Sequence, residues 1–387
     1  MTQNKNKRLL ALDILRGITI AGMILVNNPG SWGNIYAPLG HAQWNGLTPT
    51  DLVFPFFMFI MGISTYFSLI KYNFEFSRDA AKKILKRTLV IFAIGLGIAW
   101  FGLFIRTWNS LGGEELSLLQ RLYQSVFVFE NLRILGVMQR LSLTYCATAL
   151  IALSVKHKYI PHIIVGILIV YAVILLWGNG FEYNETNILS IVDKAILGEN
   201  HMYKDNGIDP EGLLSTLPAI AHVLLGFHIG RIFTQKKDIH AKVETLFIAG
   251  TILTFSGFLL SYGCPINKKI WSPTFVLTTC GLASTLLGLL IWIIDIKGYK
   301  KWSTFFESFG VNPLFIYVTG ALLTICFGSI LFPYGDGVIS IHGFLYGVVL
   351  KPILGAYNAS LAYAILFVTL NWIIGYQLYK RKIFIKI

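Results

Sequence analysis

Ten apolar stretches, each close to the ~20 residues a helix needs to cross a bilayer, constrain this chain more than anything else in it. They lie near 9–29, 50–70, 85–105, 134–155, 159–178, 213–233, 243–262, 272–295, 304–331 and 358–379. The runs are continuous rather than alternating with a period of two, which argues for helices and against a β-barrel. Hydrophobic residues make up 55% and charged residues 13% of the chain, too little polar surface to cover a soluble globule of 387 residues. The expectation is an all-α integral membrane protein of about ten transmembrane helices, forming a single domain over residues 1–387.

The net charge of +13 would ordinarily raise nucleic acid as a partner. Its distribution points elsewhere. With a cytoplasmic N-terminus and ten alternating spans, 22 of the 32 Lys and Arg fall in cytoplasmic segments. These are Lys5, Lys7 and Arg8, then Lys71 to Arg87, Lys156 and Lys158, Arg231 to Lys242, Lys297 to Lys301, and Lys380 to Lys386. That is the positive-inside pattern, and it places both termini in the cytoplasm. A membrane is the expected partner and nucleic acid is not. The N-terminus imitates a signal peptide, but Asp13 and Arg16 interrupt its apolar run, so it reads as an uncleaved first span.

The opposite face is acidic. Its long loop, 179–212, carries Glu182, Glu185, Asp193, Glu199, Asp205, Asp209 and Glu211. Such a vestibule suits a cationic ligand such as an amine; equally, it is what remains when Lys and Arg are biased inward. In the other long loop, Leu116 to Phe129 has the pattern of an interfacial amphipathic helix. Four cysteines form no Cys-x-x-Cys and suggest no disulfide, and no metal-ligand spacing or Gly-rich phosphate loop occurs.

The polar residues left inside or beside the spans are the candidates for chemistry. His41 sits in a short loop, Gly40-His41-Ala42-Gln43-Trp44-Asn45-Gly46, between the first two spans. Thr48-Pro49-Thr50-Asp51 follows with the pattern of a capped helix start, which would fix the direction of the loop. A neutral imidazole held at a membrane face is suited to taking a proton from a nucleophile. Asp13 and Arg16 are three apart and share one helix face, as a structural ion pair or as a contact for a phosphate-bearing ligand entering from the cytosol. Asn27 and Asn28 end the same span, about 16 Å from Arg16 by helical rise. Gln139 and Arg140 open the fourth span, and Asn312-Pro313 marks a helix break in the ninth.

Taken together, Asp13-x-x-Arg16-Gly17, Val26-Asn27 and His41-Ala42-x-Trp44-Asn45-Gly46-Leu47-Thr48-x-x-Asp51-Leu52-Val53-x-Pro55 resemble the signature of heparan-α-glucosaminide N-acetyltransferases and their bacterial relatives. The resemblance continues through Gly136-Val137-Met138-Gln139-Arg140-Leu141, Asp209-Pro210-Glu211-Gly212 and Gly310-x-Asn312. It implies a multi-pass enzyme of the bacterial inner membrane that moves an acetyl group from cytosolic acetyl-CoA to the amine of a glucosamine-type sugar on the periplasmic side. It also implies a homodimer. The family's active-site histidine falls on His41. Its active-site asparagine falls on Asn27, across a loop about three residues longer than in the animal enzyme. On that basis Asp13, Arg16, Gln139 and Arg140 are expected to bind acetyl-CoA. Trp44, Asn45, Asp51, Asp209, Glu211 and Asn312 are expected to contact the acceptor. No metal is expected. The large luminal N-terminal domain of the animal enzyme is not expected here, and ten spans are expected rather than eleven, which leaves the acceptor open. A secondary transporter of an amino sugar or of N-acetylglucosamine is the competing expectation, since intramembrane Asp13, Arg16, Arg140 and Glu307 suit transport as well.

Overall fold

The computed structural model describes residues 9–203 and 205–385. Lys5, Lys7, Arg8 and Lys386, which entered the charge count, lie outside the described residues. Helix α1 (Leu10–Asn27) is the hub of the bundle, packing on α2 (Val53–Leu69), α10 (Pro273–Ile291), α11 (Ser303–Gly310), α12 (Pro313–Ser329) and α15 (Ala356–Lys380). Around it stand α3 (Arg78–Ser110), α5 (Val137–Ser154), α6 (Ile160–Trp177), α8 (Thr216–Gln235) and α9 (Ile239–Leu260).

The α1–α11 contact is unusually close. A Cβ at Gly17 would lie 1.7 Å from the Phe306 carbonyl oxygen, and one at Gly310 1.9 Å from that of Asp13. Only glycine lets these backbones meet, the packing mode that membranes favour because lipid gives helices no hydrophobic drive to associate.

Among the described residues, eight helices are long and apolar enough to cross a membrane, and nine if α11 and α12 are one span broken by a bend of 87°. This differs from the ten expected. The stretch 134–155 does fold as the 18-residue α5, but Gln139, Arg140, Ser142, Thr144 and Thr148 along it are buried. Their polarity holds that helix below the apolarity of the eight. The expected helix break at Asn312-Pro313 is the 87° bend itself, with Pro313 at the first position of α12.

The loops carry their own structure. Helix α4 (Leu118–Val126) realises the amphipathic stretch, capped by Ser117 and Gln120, with Leu118, Leu119 and Tyr123 exposed. Helix α7 (Ile188–Leu197) organises the long acidic loop. After α12 comes a hairpin of β1 (Leu331–Tyr334) and β2 (Gly337–Ser340), paired Tyr334 to Gly337. Two helical turns, α13 (Ile341–Gly343) and α14 (Lys351–Leu354), then flank the π-helical segment Phe344–Leu350.

Candidate active site

The loop from α1 to α2 is pinned at several points, and this aims His41. The expected cap is present: Thr48 Oγ1 accepts from the Asp51 amide, and Asp51 Oδ2 accepts from the Thr48 amide at 3.1 Å. Thr48 Oγ1 lies 2.8 Å from the Gly40 carbonyl. Trp44 donates its indole N–H to the Phe181 carbonyl (2.8 Å) and stacks on Tyr183 at 4.6 Å. Gly46 donates its amide to the Ile266 carbonyl at 2.8 Å, and Asn45 accepts from the Asn267 amide side chain at 3.1 Å. The loop is thereby clamped to both 179–212 and the α9–α10 connection.

Asp51 is more than a cap. Its carboxylate is 1% exposed, and its Oδ1 lies 2.6 Å from His41 Nδ1. Oδ2 accepts from the Ala42 amide as well, at 3.1 Å. A carboxylate on Nδ1 fixes the proton there and leaves Nε2 as the basic nitrogen. The Nε2 atom has no hydrogen-bond partner among the described residues, and the imidazole is 43% exposed. Lys268 closes on the pair, 3.4 Å from Asp51 Oδ1 and 3.1 Å from His41 Nδ1. Burial lowers the pKa of Lys268, against the pull of Asp51 and Glu211.

His41 faces a cavity of about 100 Å³, whose other polar walls are Asn27, Thr50, Glu211, Lys268 and Tyr317, with Met23, Val53 and Phe54 among its apolar walls. Asn27 is exposed to this space and has no hydrogen-bond partner among the described residues. Glu211 is held by Arg133, whose Nη2 lies 2.7 Å from Glu211 Oε2 and 2.6 Å from Asp209 Oδ1. Burial would raise the Glu211 pKa, but Arg133 and Arg140 outweigh it and keep the carboxyl ionised below its usual range. Burial likewise opposes the Arg133 charge, and Glu211 with Asp209 more than reverses that.

The expected site residues therefore divide. His41, Asn27 and Glu211 meet at one cavity, with Asp51 directly behind His41. Trp44 and Asn45 anchor the loop. Asp209 is fully buried and accepts from Arg133, the Tyr203 amide (2.8 Å) and the Glu211 amide (2.9 Å), so it holds Glu211 in place. Arg140 is buried behind the cavity, donating to the Gly212 carbonyl (3.0 Å) and to Ser215, with its guanidinium over Trp271. Gln139 is buried against Gly95 of α3. Asp13 and Arg16 pair at 2.9 Å near the other end of α1, where Arg16 also donates to Ser64 (2.9 Å) and the Gly310 carbonyl (3.2 Å). Asn312 is not brought to the cavity: it clamps the C-terminal tail, donating to the Ile383 carbonyl and accepting from the Ile385 amide, each at 2.8 Å. Lys268, Arg133 and Tyr317 were not anticipated. A faint signal existed for Lys268, since paired lysines are uncommon in loops on the face poor in basic residues.

The model of the heparan-α-glucosaminide N-acetyltransferase catalytic family matches residues 8–264, two thirds of the chain, and takes in Asn27, His41, Asp51 and Glu211. The chain belongs to this family. It is 26% identical over 378 aligned positions to heparan-α-glucosaminide N-acetyltransferase of Mus musculus, covering 80% of this chain and 53% of that protein. With the Homo sapiens protein of the same name it shares 27% over 375 positions, covering 80% and 52%. The chain thus spans about half the length of these relatives. Family membership and the apolar helices together make it a multi-pass membrane protein.

Proposed function

We propose that the protein is a membrane-bound acetyltransferase that moves the acetyl group of acetyl-CoA to the amine of a glucosamine-type sugar. One observation carries the reading: a His–Asp pair with a free Nε2 opens into a cavity that also holds an unpartnered asparagine and an ionised glutamate. His41 Nε2 takes the proton from the amine as its nitrogen attacks the thioester carbon. Asp51 stabilises the imidazolium that forms. Asn27 donates to the thioester oxygen as it becomes an oxyanion, an effect worth about 3–4 kcal/mol in preorganised sites. Glu211 orients the acceptor through its amine or a hydroxyl. Collapse breaks the C–S bond, and the imidazolium returns the proton to the CoA sulfur. Transfer is direct, within a ternary complex.

The topology supports donor and acceptor on opposite faces. The basic segments cluster toward the end of the bundle that holds Arg16 and the C-terminal tail, which we take as cytoplasmic, with His41 on the periplasmic side of a bacterial inner membrane. Coenzyme A phosphates would meet that basic end. A homodimer, in which each copy is the single domain 1–387, completes the proposal. The test is CoA-thiol release by protein in nanodiscs, with acetyl-CoA and glucosamine, for wild type beside His41→Ala. Release that requires both substrates and is lost in the folded variant supports the reading. No release across a panel of amino sugars refutes it and makes vesicle uptake of N-acetylglucosamine the decisive experiment for a transporter.

A further inference from the structure

A second cavity, of about 250 Å³, adjoins the first and shares Met23, Asn27 and Tyr317 with it. It lies between α1, α3 and α12, and its remaining walls are mainly Ile24, Ile98, Gly320, Ala321 and Ile325. Two further polar residues on this wall are turned on their own neighbours. Asn28 donates to the Ile24 carbonyl (2.7 Å) and accepts from the Thr324 hydroxyl. The space therefore offers a guest apolar surface, with Asn27 at the boundary between the two cavities. On α1 its lining stops at Met23, seven residues or about 10 Å short of Arg16. It opens at the depth of Asn27.

We propose that this chamber is an acyl-chain subsite, so that the enzyme transfers short linear acyl groups of about four to six carbons as well as acetyl. The inference rests on the acyltransferase reading above. With the thioester oxygen on Asn27 and the acceptor amine at His41, the acyl carbons beyond the carbonyl run into the chamber. The space is open on one side, and at about 250 Å³ it exceeds the ~150 Å³ that accommodates benzene in an apolar cavity, so it has room for a short chain. The chemistry is unchanged. The amine nitrogen bonds to the acyl carbon, the C–S bond breaks, and the amine proton passes through His41 to the CoA sulfur. Each methylene buried from water adds about fourfold in affinity, from about 0.8 kcal/mol.

The experiment compares acetyl-, propionyl-, butyryl- and hexanoyl-CoA with glucosamine as acceptor, reading thiol release by wild type, Ala321→Phe and Ile98→Phe in nanodiscs. The two variants fill the chamber from different helices, so a folding failure of one leaves the other. Wild type should have a kcat/KM for butyryl-CoA at least equal to that for acetyl-CoA. Each folded variant should keep acetyl transfer within about twofold and lose butyryl transfer at least tenfold. A wild-type preference for acetyl over butyryl of a hundredfold, or an acetyl-to-butyryl ratio unchanged in both variants, overturns the subsite while leaving the acetyltransferase reading intact. Absence of release with every donor refutes that reading, and the subsite with it.

Discussion

Asp51→Asn tests the catalytic geometry more sharply than removal of His41, because it preserves shape and inverts hydrogen bonding. In the native site Oδ2 accepts from two backbone amides, Ala42 and Thr48, each at 3.1 Å, while Oδ1 faces His41 Nδ1 at 2.6 Å. Asparagine has one oxygen. If its amide nitrogen faced the two backbone N–H groups, three donors would confront one another, so the oxygen takes that position. The amide nitrogen is then left to donate to His41 Nδ1. That forces the proton of neutral His41 onto Nε2, the atom that must be bare to act as a base. Restoring the working tautomer means losing two or three hydrogen bonds at about 1 kcal/mol each. The imidazolium also loses its carboxylate, worth about 1.5–3 kcal/mol for a charged hydrogen bond. Allowing for overlap between these contributions, kcat should fall by about 3–4 kcal/mol, or roughly 150- to 900-fold. Lys268 would meanwhile lose an anion 3.4 Å away, and its unpaired charge would lower stability. The double variant Asp51→Asn/Lys268→Met should recover melting temperature and not activity. Thiol release measured beside thermal unfolding separates the two effects. Turnover within threefold of wild type in a folded Asp51→Asn protein would refute the assignment of Asp51 as the partner that orients His41.

Asn27→Ala should lower kcat about 100-fold with little change in KM for acetyl-CoA; a loss confined to KM would remove its oxyanion role. Arg133→Met strands Asp209 and Glu211 without their counter-charge and should destabilise by about 3–5 kcal/mol, seen as a lower melting temperature; an unchanged one would show that the ion cluster does not hold this region together. Asp193 accepts from the Leu213 and Leu214 amides through Oδ1, and burial, reinforced by the Asp209 charge, pushes its pKa up to about 6. A carboxyl raised in the fold contributes stability below about pH 4 that is lost as pH rises through 6. Asp193→Asn keeps the Oδ1 acceptor, so it should raise the melting temperature at pH 7.5 by the equivalent of about 3 kcal/mol, with the gain gone by pH 4. A lower melting temperature at pH 7.5 would show that the carboxylate is needed ionised.

The sequence made the spans, the capped entry to α2 and the His41 loop legible because each depends on neighbours within a few residues. The cap at Thr48 and Asp51 and the break at Pro313 follow from local chemistry that no tertiary contact overrides. The polar helix α5 was counted as one more apolar span because run length does not reveal that Gln139 and Arg140 are buried inside the bundle. Asp209 and Glu211 resembled two equivalent carboxylates, and nothing in their spacing says that Arg133, 76 residues before Asp209, holds both. Asn312 lay beside a helix break like many binding-site amides, yet its partners are backbone groups of the tail. The role of Asp51 toward His41 was hidden by its role as a cap, which the same carboxylate also fills with its other oxygen.

Lys268 reaches His41 across 227 residues of chain. Hub helix α1 precedes one of its closest partners, α11, by some 290 residues. The half-built protein on the ribosome therefore carries His41 with its carboxylate but without the lysine, and Gly17 without the backbone that covers it. The cavity at His41 is therefore incomplete until both Lys268 and Tyr317 have been added, so the site is assembled well after the loop that carries its histidine. A translation arrest before the α9–α10 connection should yield a nascent chain that is embedded, capped at Thr48, and catalytically silent.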